Sequence, residues 1–385
     1  MNLTLIQHIH SSECCFSGLQ KNSIRMFSFL LAFIGAAPVF SQKADTLSLL
    51  FVGDLMQHSA QIEAAHTEKG SYNYQNCFKL IEPELKKNDL NIANLEVSLG
   101  GRPYTGYPCF SAPDEFLYAI YKAGFNVLTT ANNHCLDRGK RGMERTLDLL
   151  DSLHIAHAGT YRSQKEHDTM HPLLIEKRGF RIALLNYTYG TNGIKVNQPN
   201  IVNYIDRQQI RKDILKARLM KADAIIACIH WGIEYQLLPR KEEEDLSQWM
   251  LRLGVDHIIG SHPHVIQPIQ LIPDSLKPCQ HVVAYSLGNF ISNMSAPQTD
   301  GGLAVKLVLR KVEEKTRLQS CQYAFVWTSR ARLNKNRQFQ VYPANIGTNI
   351  LNTSEEYHFN KYLKAAREFM RKHTFHIKEY FFSRK

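Results

Sequence analysis

Short apolar runs, each stopped by a cluster of polar residues, alternate with segments of helical period along most of the chain. The run Leu47-Ser48-Leu49-Leu50-Phe51-Val52 stops at Gly53-Asp54, and the one opening at Asp89 stops at Asn94-Leu95-Glu96. Residues 126–131 lead into Asn132-Asn133-His134, and residues 224–229 into His230-Trp231-Gly232. Residues 256–259 lead into Gly260-Ser261-His262-Pro263-His264, and residues 282–287 into Gly288-Asn289-Phe290. Runs without polar alternation predict strands covered on both faces. Helical spacing predicts helices over residues 76–87, 113–123, 140–153, 206–221 and 241–253, and the alternation of the two patterns is that of a covered α/β sheet. Residues 172–176 and 180–186 meet at Arg178-Gly179 as a hairpin. Residues 303–328 read as a longer hairpin with its tip at 310–317, and residues 355–381 read as a basic amphipathic helix.

Composition narrows the picture a little. With 385 residues, 44% hydrophobic and 21% charged, the chain is of ordinary globular make-up, and disorder is excluded as its theme. The formal charge of +11 suits an anionic partner, either a phosphoester substrate or an acidic polymer. No zinc-finger spacing, Gly-rich phosphate loop or RNA-binding aromatic signature accompanies the charge, so no nucleic-acid partner is expected. Near the N-terminus, Lys21 and Arg25 precede an apolar stretch over residues 26–37, followed by Pro38 and the exit Val39-Phe40-Ser41. Residues 1–41 are therefore read as a signal peptide or signal anchor, with Met26 as an alternative start, and the protein as exported, periplasmic or associated with the cell envelope. Cys14 and Cys15 fall within that leader. The remaining cysteines are scattered without a CxxC pair, which argues against a thiolate metal site, and Cys135 and Cys228 read as small buried side chains.

The chemistry lies in the polar stops. A strand's C-terminal edge is where α/β folds gather functional side chains, because the sheet fixes the backbone while the chain beyond it is free to vary. Asp54, Glu96, Asn133, His230, His262 and His264 stand on separate strand ends, and this mixed oxygen and nitrogen set suits divalent Zn, Mn or Fe, one ion or two. Gly53 is expected to leave space for such an ion. His262 and His264, at i and i+2 about Pro263, are expected to face the same side of an extended turn. His134, next to a candidate ligand, is the expected proton donor to a leaving group, with Asp137 as a catalytic neighbour and Gly139 supplying an unusual backbone angle. Tyr104 and Tyr107 lie in a Gly/Pro/Tyr-rich loop expected over the strand ends. That segment (100–111) and residues 187–203 and 293–301 are the expected substrate-contacting loops. A serine esterase is excluded, because no nucleophilic serine stands in Gly53-Asp54-Leu55.

Read in order from residue 47 to 290, six motifs resemble the series of the CapA capsule-synthesis family. They are Gly53-Asp54-Leu55-Met56, Asn94-Leu95-Glu96, Ala131-Asn132-Asn133-His134 with Asp137 and Gly139, His230-Trp231-Gly232 with Glu234, Ser261-His262-Pro263-His264-Val265, and Tyr285-Ser286-Leu287-Gly288-Asn289-Phe290. The resemblance implies a calcineurin-like metallophosphoesterase domain over residues 47–330. Its expected architecture is an α/β fold, a four-layer α/β/β/α sandwich with the metal site at the strand C-terminal ends, followed by a C-terminal extension over 331–385. It also implies a part in making or exporting poly-gamma-glutamate capsule, alongside membrane-associated capsule synthesis machinery. Within the resemblance Asp54 takes the place of the first aspartate and Glu96 that of the bridging aspartate. Asn133-His134 match the Asn-His pair, and His230, His262 and His264 match the later histidines. Two departures stand out: Met56 occupies the histidine position of the usual Asp-x-His opening, and a longer Glu replaces the bridging Asp. His58 has the wrong offset on a regular strand to compensate. Two functions follow as expectations: a metal-dependent, phosphoesterase-like hydrolase acting outside the cytoplasm, or a non-catalytic accessory protein that binds or exports an anionic surface polymer.

Overall fold

The first apolar run becomes strand β1 (Thr46–Leu55), and its alternate residues enter two different cores. Leu47, Leu49 and Phe51 point into one, Leu50 and Val52 into the other. Both faces are covered, which is why the run has no polar alternation. The computed structural model describes residues 46–274, 280–313 and 315–383. The expected leader (1–41) and Cys279 lie outside the described residues.

After β1 come α1 (Ser59–Ala65), α2 (Gln75–Phe78), α3 (Glu82–Leu85), β2 (Leu90–Leu95), α4 (Asp114–Ala123), β3 (Val127–Thr129), α5 (Gly139–Ser152), β4 (Ala156–Ala158), β5 (Thr160–Tyr161) and α6 (Gln164–Met170). The middle of the chain forms β6 (Leu173–Lys177), β7 (Phe180–Thr188), β8 (Ile201–Val202), α7 (Arg207–Leu219), β9 (Ala224–His230), α8 (Lys241–Leu253) and β10 (His257–Ser261). The last part forms β11 (Ile269–Pro273), β12 (Gln280–Ala284), β13 (Asn289–Ile291), β14 (Gly301–Val312), β15 (Lys315–Ser329), β16 (Gln340–Pro343), α9 (Thr353–His373) and β17 (Lys378–Glu379).

Two large sheets result. The nine-stranded sheet runs β16-β15-β14-β1-β2-β3-β4, with β13 added beside β1 and β17 beside β15. The strands from β1 to β4 are parallel, while β14 to β16 are antiparallel. The six-stranded sheet runs β11-β12-β10-β9-β7-β6, parallel at its centre and antiparallel at both edges. The cores define the layers. Ile182 and Leu184 of β7 and Ile226 of β9 pack with Leu49 and Phe51 between the sheets. Helices α4 and α5 cover the outer face of the larger sheet through Phe116, Ile120 and Leu147. Helices α7 and α8 cover the outer face of the smaller one through Ile214 and Met250. The order is α/β/β/α, as expected, and the parallel strands of both sheets end at the edge that carries Asp54, Glu96, His230 and His262.

Three local expectations change. Residues 76–87 form two short helices, α2 and α3, because Pro83 lacks an N–H and its ring blocks a continuous helical ladder. The basic helix ends at His373 rather than 381: the Thr374 hydroxyl accepts from the Ile269 N–H, His376 adopts φ +65°, and the chain turns into β17. Gly53 leaves no room for an ion. A Cβ there would lie 1.9 Å from the Gly288 carbonyl oxygen, so the missing side chain admits the backbone of the turn before β13. That approach sets Asn289 beside Asp54 in register.

Candidate metal centre

Asp54 is the penultimate residue of β1, Glu96 follows β2 by one residue, and Asn132 to His134 form the turn after β3. His230 ends β9, while His262 and His264 sit in the turn after β10. Their positions bring donors from both sheets to one buried point. Asp54 and Glu96 are wholly buried, as is His230, and His262 and His264 are nearly so. Three overlapping groups have ligand atoms all within 4.8 Å of one another: Asp54, Glu96 and His264; Glu96, His230 and His262; and Glu234, His262 and His264. His264 Nδ1 lies 3.2 Å from Asp54 Oδ2, and Glu96 Oε1 lies 3.6 Å from His230 Nε2 and 3.7 Å from His264 Nε2. Asn133 joins through its carboxamide oxygen, 2.8 Å from His230 Nε2.

The two imidazoles about Pro263 converge by a different route from the expected extended turn. His262 has φ +99° and His264 φ +59°, a left-handed region that side chains with a Cβ seldom adopt. Such residues cost about 1–3 kcal/mol each and persist where surrounding structure fixes them. Here the Tyr235 N–H donates to the Pro263 carbonyl at 2.8 Å, and the His264 ring is held by Asn289 Oδ1 at 3.0 Å.

The surroundings fit a divalent cation. Asp54 Oδ2, Glu96 Oε1 and His262 Nδ1 are buried without a hydrogen-bond partner among the described residues, although buried polar atoms are ordinarily satisfied. Burial and the adjacent Asp54 carboxylate push the Glu96 carboxyl well above its ordinary range. Burial also holds His230 well below the usual imidazole value and His262 down to about 3. A cation offsets both effects, since it stabilises paired carboxylates and accepts the lone pairs of neutral imidazoles.

Several neighbours brace this set. Asn94, two residues before Glu96 and so on the same side of the strand, donates to Asp54 Oδ1 at 2.8 Å and sits 3.3 Å from Glu96 Oε2. Asn132 turns inward instead, donating to the Leu95 carbonyl and accepting from the His134 N–H, so it shapes the turn that presents Asn133. Tyr189 lies 4.5 Å from the His262 ring and is nearly half exposed, forming one rim of the site. Glu234, Asn94, Asn289 and Tyr189 were not among the expected donors. The first three stood inside motifs, and same-face spacing from Glu96 could have drawn out Asn94, whereas Tyr189 was marked only as part of the expected substrate-contacting loop 187–203.

His134 lies apart from the donor groups and points toward Asp137. Asp137 Oδ2 accepts from His134 Nδ1 at 2.8 Å and from the Phe110 N–H at 2.7 Å, while the Phe110 ring meets the His134 edge at 4.6 Å. A carboxylate only accepts, so Nδ1 carries the hydrogen and Nε2 is left for other chemistry. The turn is completed by Gly139 at φ +61°. Met56 is buried in the helix-side core and offers nothing to the site. His58 does not take its place: its Nδ1 accepts from the Asn293 N–H and faces Gln61 Oε1 at 3.2 Å, and it belongs to none of the donor groups. Tyr107 is exposed next to Phe110, but Tyr104 packs on Tyr72 beneath Arg102, away from the donors.

Cys135 and Cys228 are buried, and burial pushes both thiols up to about 12, as it does Cys77. Since the thiolate is the reactive form, native protein treated with iodoacetamide at pH 8 should be labelled at exposed Cys109 well before these three. Peptide mass spectrometry with and without denaturant checks this; early labelling of Cys135 would contradict its packing.

No helix among the described residues is long and apolar enough to cross a membrane. The chain is 29% identical over 286 residues to the capsule biosynthesis protein CapA of Bacillus anthracis, a match covering 71% of this chain and 66% of that protein. It is 28% identical over 326 residues to the PGA biosynthesis protein CapA of Bacillus subtilis, covering 81% of this chain and 80% of that one. The match to the first thus spans just under two thirds of its length. Among solved structures, the calcineurin-like phosphoesterase YfkN from Bacillus subtilis aligns over 85% of this chain and 99% of its own at 15% identity, with a TM-score of 0.41. Residues 48–294, which hold both sheets' site strands and every candidate donor, match the family described as bacterial capsule synthesis protein PGA_cap, and the chain belongs to that family.

Proposed function

We propose that the protein is a divalent-metal-dependent hydrolase of capsule biosynthesis, acting outside the cytoplasm on a phosphoester or on an anionic capsule polymer. The reading rests on one observation above all: buried atoms of Asp54, Glu96 and His262, without a hydrogen-bond partner among the described residues, belong to overlapping donor groups drawn from both sheets. Asp54, Glu96 and His264 would hold one cation, and Glu96, His230 and His262 with Asn133 a second, so that Glu96 is shared. The mixed donor set suits Mn, Zn or Fe. A cation held there supplies Lewis acidity toward a phosphoryl oxygen and activates water at neutral pH.

The chain's own residues supply the rest. Asn94 fixes the Asp54 and Glu96 carboxylates, and Asn289 fixes the His264 ring, so that little reorganisation is needed when substrate enters. Asp137 positions His134 through Nδ1–H and stabilises its imidazolium, and in that form His134 gives the proton on Nε2 to the departing oxygen and is left as the neutral Nδ1–H ring. Tyr189 and the 187–203 loop restrict water at the mouth.

The test is direct. Protein loaded with Mn or Zn is assayed on phosphomonoesters, phosphodiesters and poly-gamma-glutamate, with metal content measured in parallel. Turnover on at least one of these at one or two ions per chain is expected, and metal-replete protein inert on all of them would overturn the hydrolytic reading. A second reading has its own support: Met56 removes a donor that the resembling motif supplies, which favours an accessory that binds polymer without turnover. Salt-sensitive binding of poly-gamma-glutamate by inert protein is its signature.

A further inference from the structure

A cavity of about 780 Å³ opens between α1 and the segment that follows β15. Arg330, Arg332 and Arg337 line it on one side, and Ala60, Ala64 and Phe339 give it an apolar wall. A second cavity of about 340 Å³ shares Ser295, Arg330 and Arg332 with the first and extends toward His358 and Lys361 of α9. Together they form an elongated, positively charged trough. The acidic groups facing it are Glu63 in the first part and Asp300 in the second, where Asp300 already accepts from the Trp327 indole at 3.1 Å.

The cations are poorly compensated from within the chain. Arg332 and Arg337 are exposed and form no ion pair among the described residues. Arg330 is half-buried, and its guanidinium donates only to the Met294 carbonyl. Burial holds it below the ordinary arginine value. A half-buried guanidinium whose hydrogen bond goes to a neutral carbonyl, with Asp300 as its nearby carboxylate, carries a desolvation cost that a further anion would offset.

The trough is joined to the metal centre through a short run of chain. Asn289 holds His264 at 3.0 Å, its Nδ2 meets the Met294 sulfur at 3.4 Å, the Asn293 N–H donates to His58, and Asn293 and Ser295 line the first cavity.

We infer that this trough is a second binding site, separate from the metal centre, which holds an extended polycarboxylate chain through Arg330, Arg332 and Arg337. Guanidinium groups pair with carboxylates in two-point fashion. The elongated shape suits a chain better than a single ion. The apolar wall and the presence of Glu63 favour carboxylates spaced along an aliphatic backbone over the denser charge of a phosphate chain. The inference deepens the proposed function by naming what the polymer grips, but binding here does not need turnover.

The test uses the purified full chain and fluorescently labelled poly-gamma-glutamate, read by anisotropy at low and moderate salt. R332Q/R337Q, two exposed positions, should weaken binding about tenfold and flatten its salt dependence. R211Q/K212Q, which removes the same charge from α7 on the opposite layer, should leave affinity within about twofold, since exposed charges act weakly at a distance. Equal losses in both variants, or no loss in the first, would overturn the assignment, as would tighter binding of polyphosphate of matched length. Metal content of both variants and hydrolysis of p-nitrophenyl phosphate by the wild type are measured on the same preparations, and metal content in R332Q/R337Q should match wild type. If wild type binds polymer through the trough but hydrolyses nothing, the hydrolytic reading fails and the binding site stands.

Discussion

His134→Ala is expected to lower turnover on an ester substrate by about 10²–10⁴-fold, the usual worth of a positioned proton donor. Metal content should be unchanged, because His134 belongs to none of the donor groups. The loss should be largest for poor leaving groups, where protonation of the departing oxygen matters most. A series of aryl phosphates with leaving-group pKa values on either side of neutrality reads this as a steeper dependence in the variant. Asp137→Asn should reproduce part of the effect, since an amide can present its N–H to Nδ1 and favour the wrong tautomer. An H134A enzyme with wild-type rates across the series would remove His134 from the chemistry. A loss equal for all leaving groups would mean that the imidazole only shapes the turn.

Glu96→Gln should change stability in opposite directions with and without metal. In protein stripped by chelator, Glu96 and Asp54 are two buried carboxylates side by side. Their mutual repulsion and burial raise the Glu96 carboxyl well above its ordinary value. A carboxyl raised in the folded state contributes stability that is complete below the unfolded value of about 4.3 and is lost as pH rises through the folded value. Stripped wild type should therefore weaken between mildly acidic and neutral pH, and E96Q should be more stable than it at pH 7 by about 1–3 kcal/mol. With metal at about a thousandfold above Kd, wild type gains about 4 kcal/mol from binding, while the variant, lacking the shared ligand, should gain under about 1. Thermal melts of both proteins, stripped and loaded, at pH 5 and pH 7 check the reversal. If E96Q were less stable than wild type in all four conditions, Glu96 would be a structural carboxylate and not a ligand.

Much of this was legible along the chain because strand ends punctuate it. A covered strand reads as an apolar run, and the residue that breaks the run is by geometry at the sheet edge, so Asp54, Glu96, His230 and His262 could be marked without knowing how the strands are ordered. The pairing of the runs into two sheets was less accessible: nothing local distinguishes β2, which joins β1, from β9, which joins β7 and β10. Residues that act through space rather than along a run were harder still. Tyr189 and the Arg330 to Arg337 segment come from stretches whose composition is that of ordinary surface. The role given to Gly53 went astray for a related reason, because its neighbour in space is more than two hundred residues away.

The close passage of Gly53 against Gly288 also fixes when the centre can exist during synthesis. Asp54 and Glu96 leave the ribosome early, but the imidazoles of residues 262 and 264 and the carboxamide that steadies one of them come only after the strands from β1 to β10 have been encoded. A nascent chain that stops short of β10 would offer a cation Asp54, Glu96, Asn133 and His230 without the two later imidazoles. Should the centre hold a cation, its acquisition would be a late event tied to completion of these strands, and a chain threaded across a membrane unfolded would load the ion from the compartment in which it finishes folding.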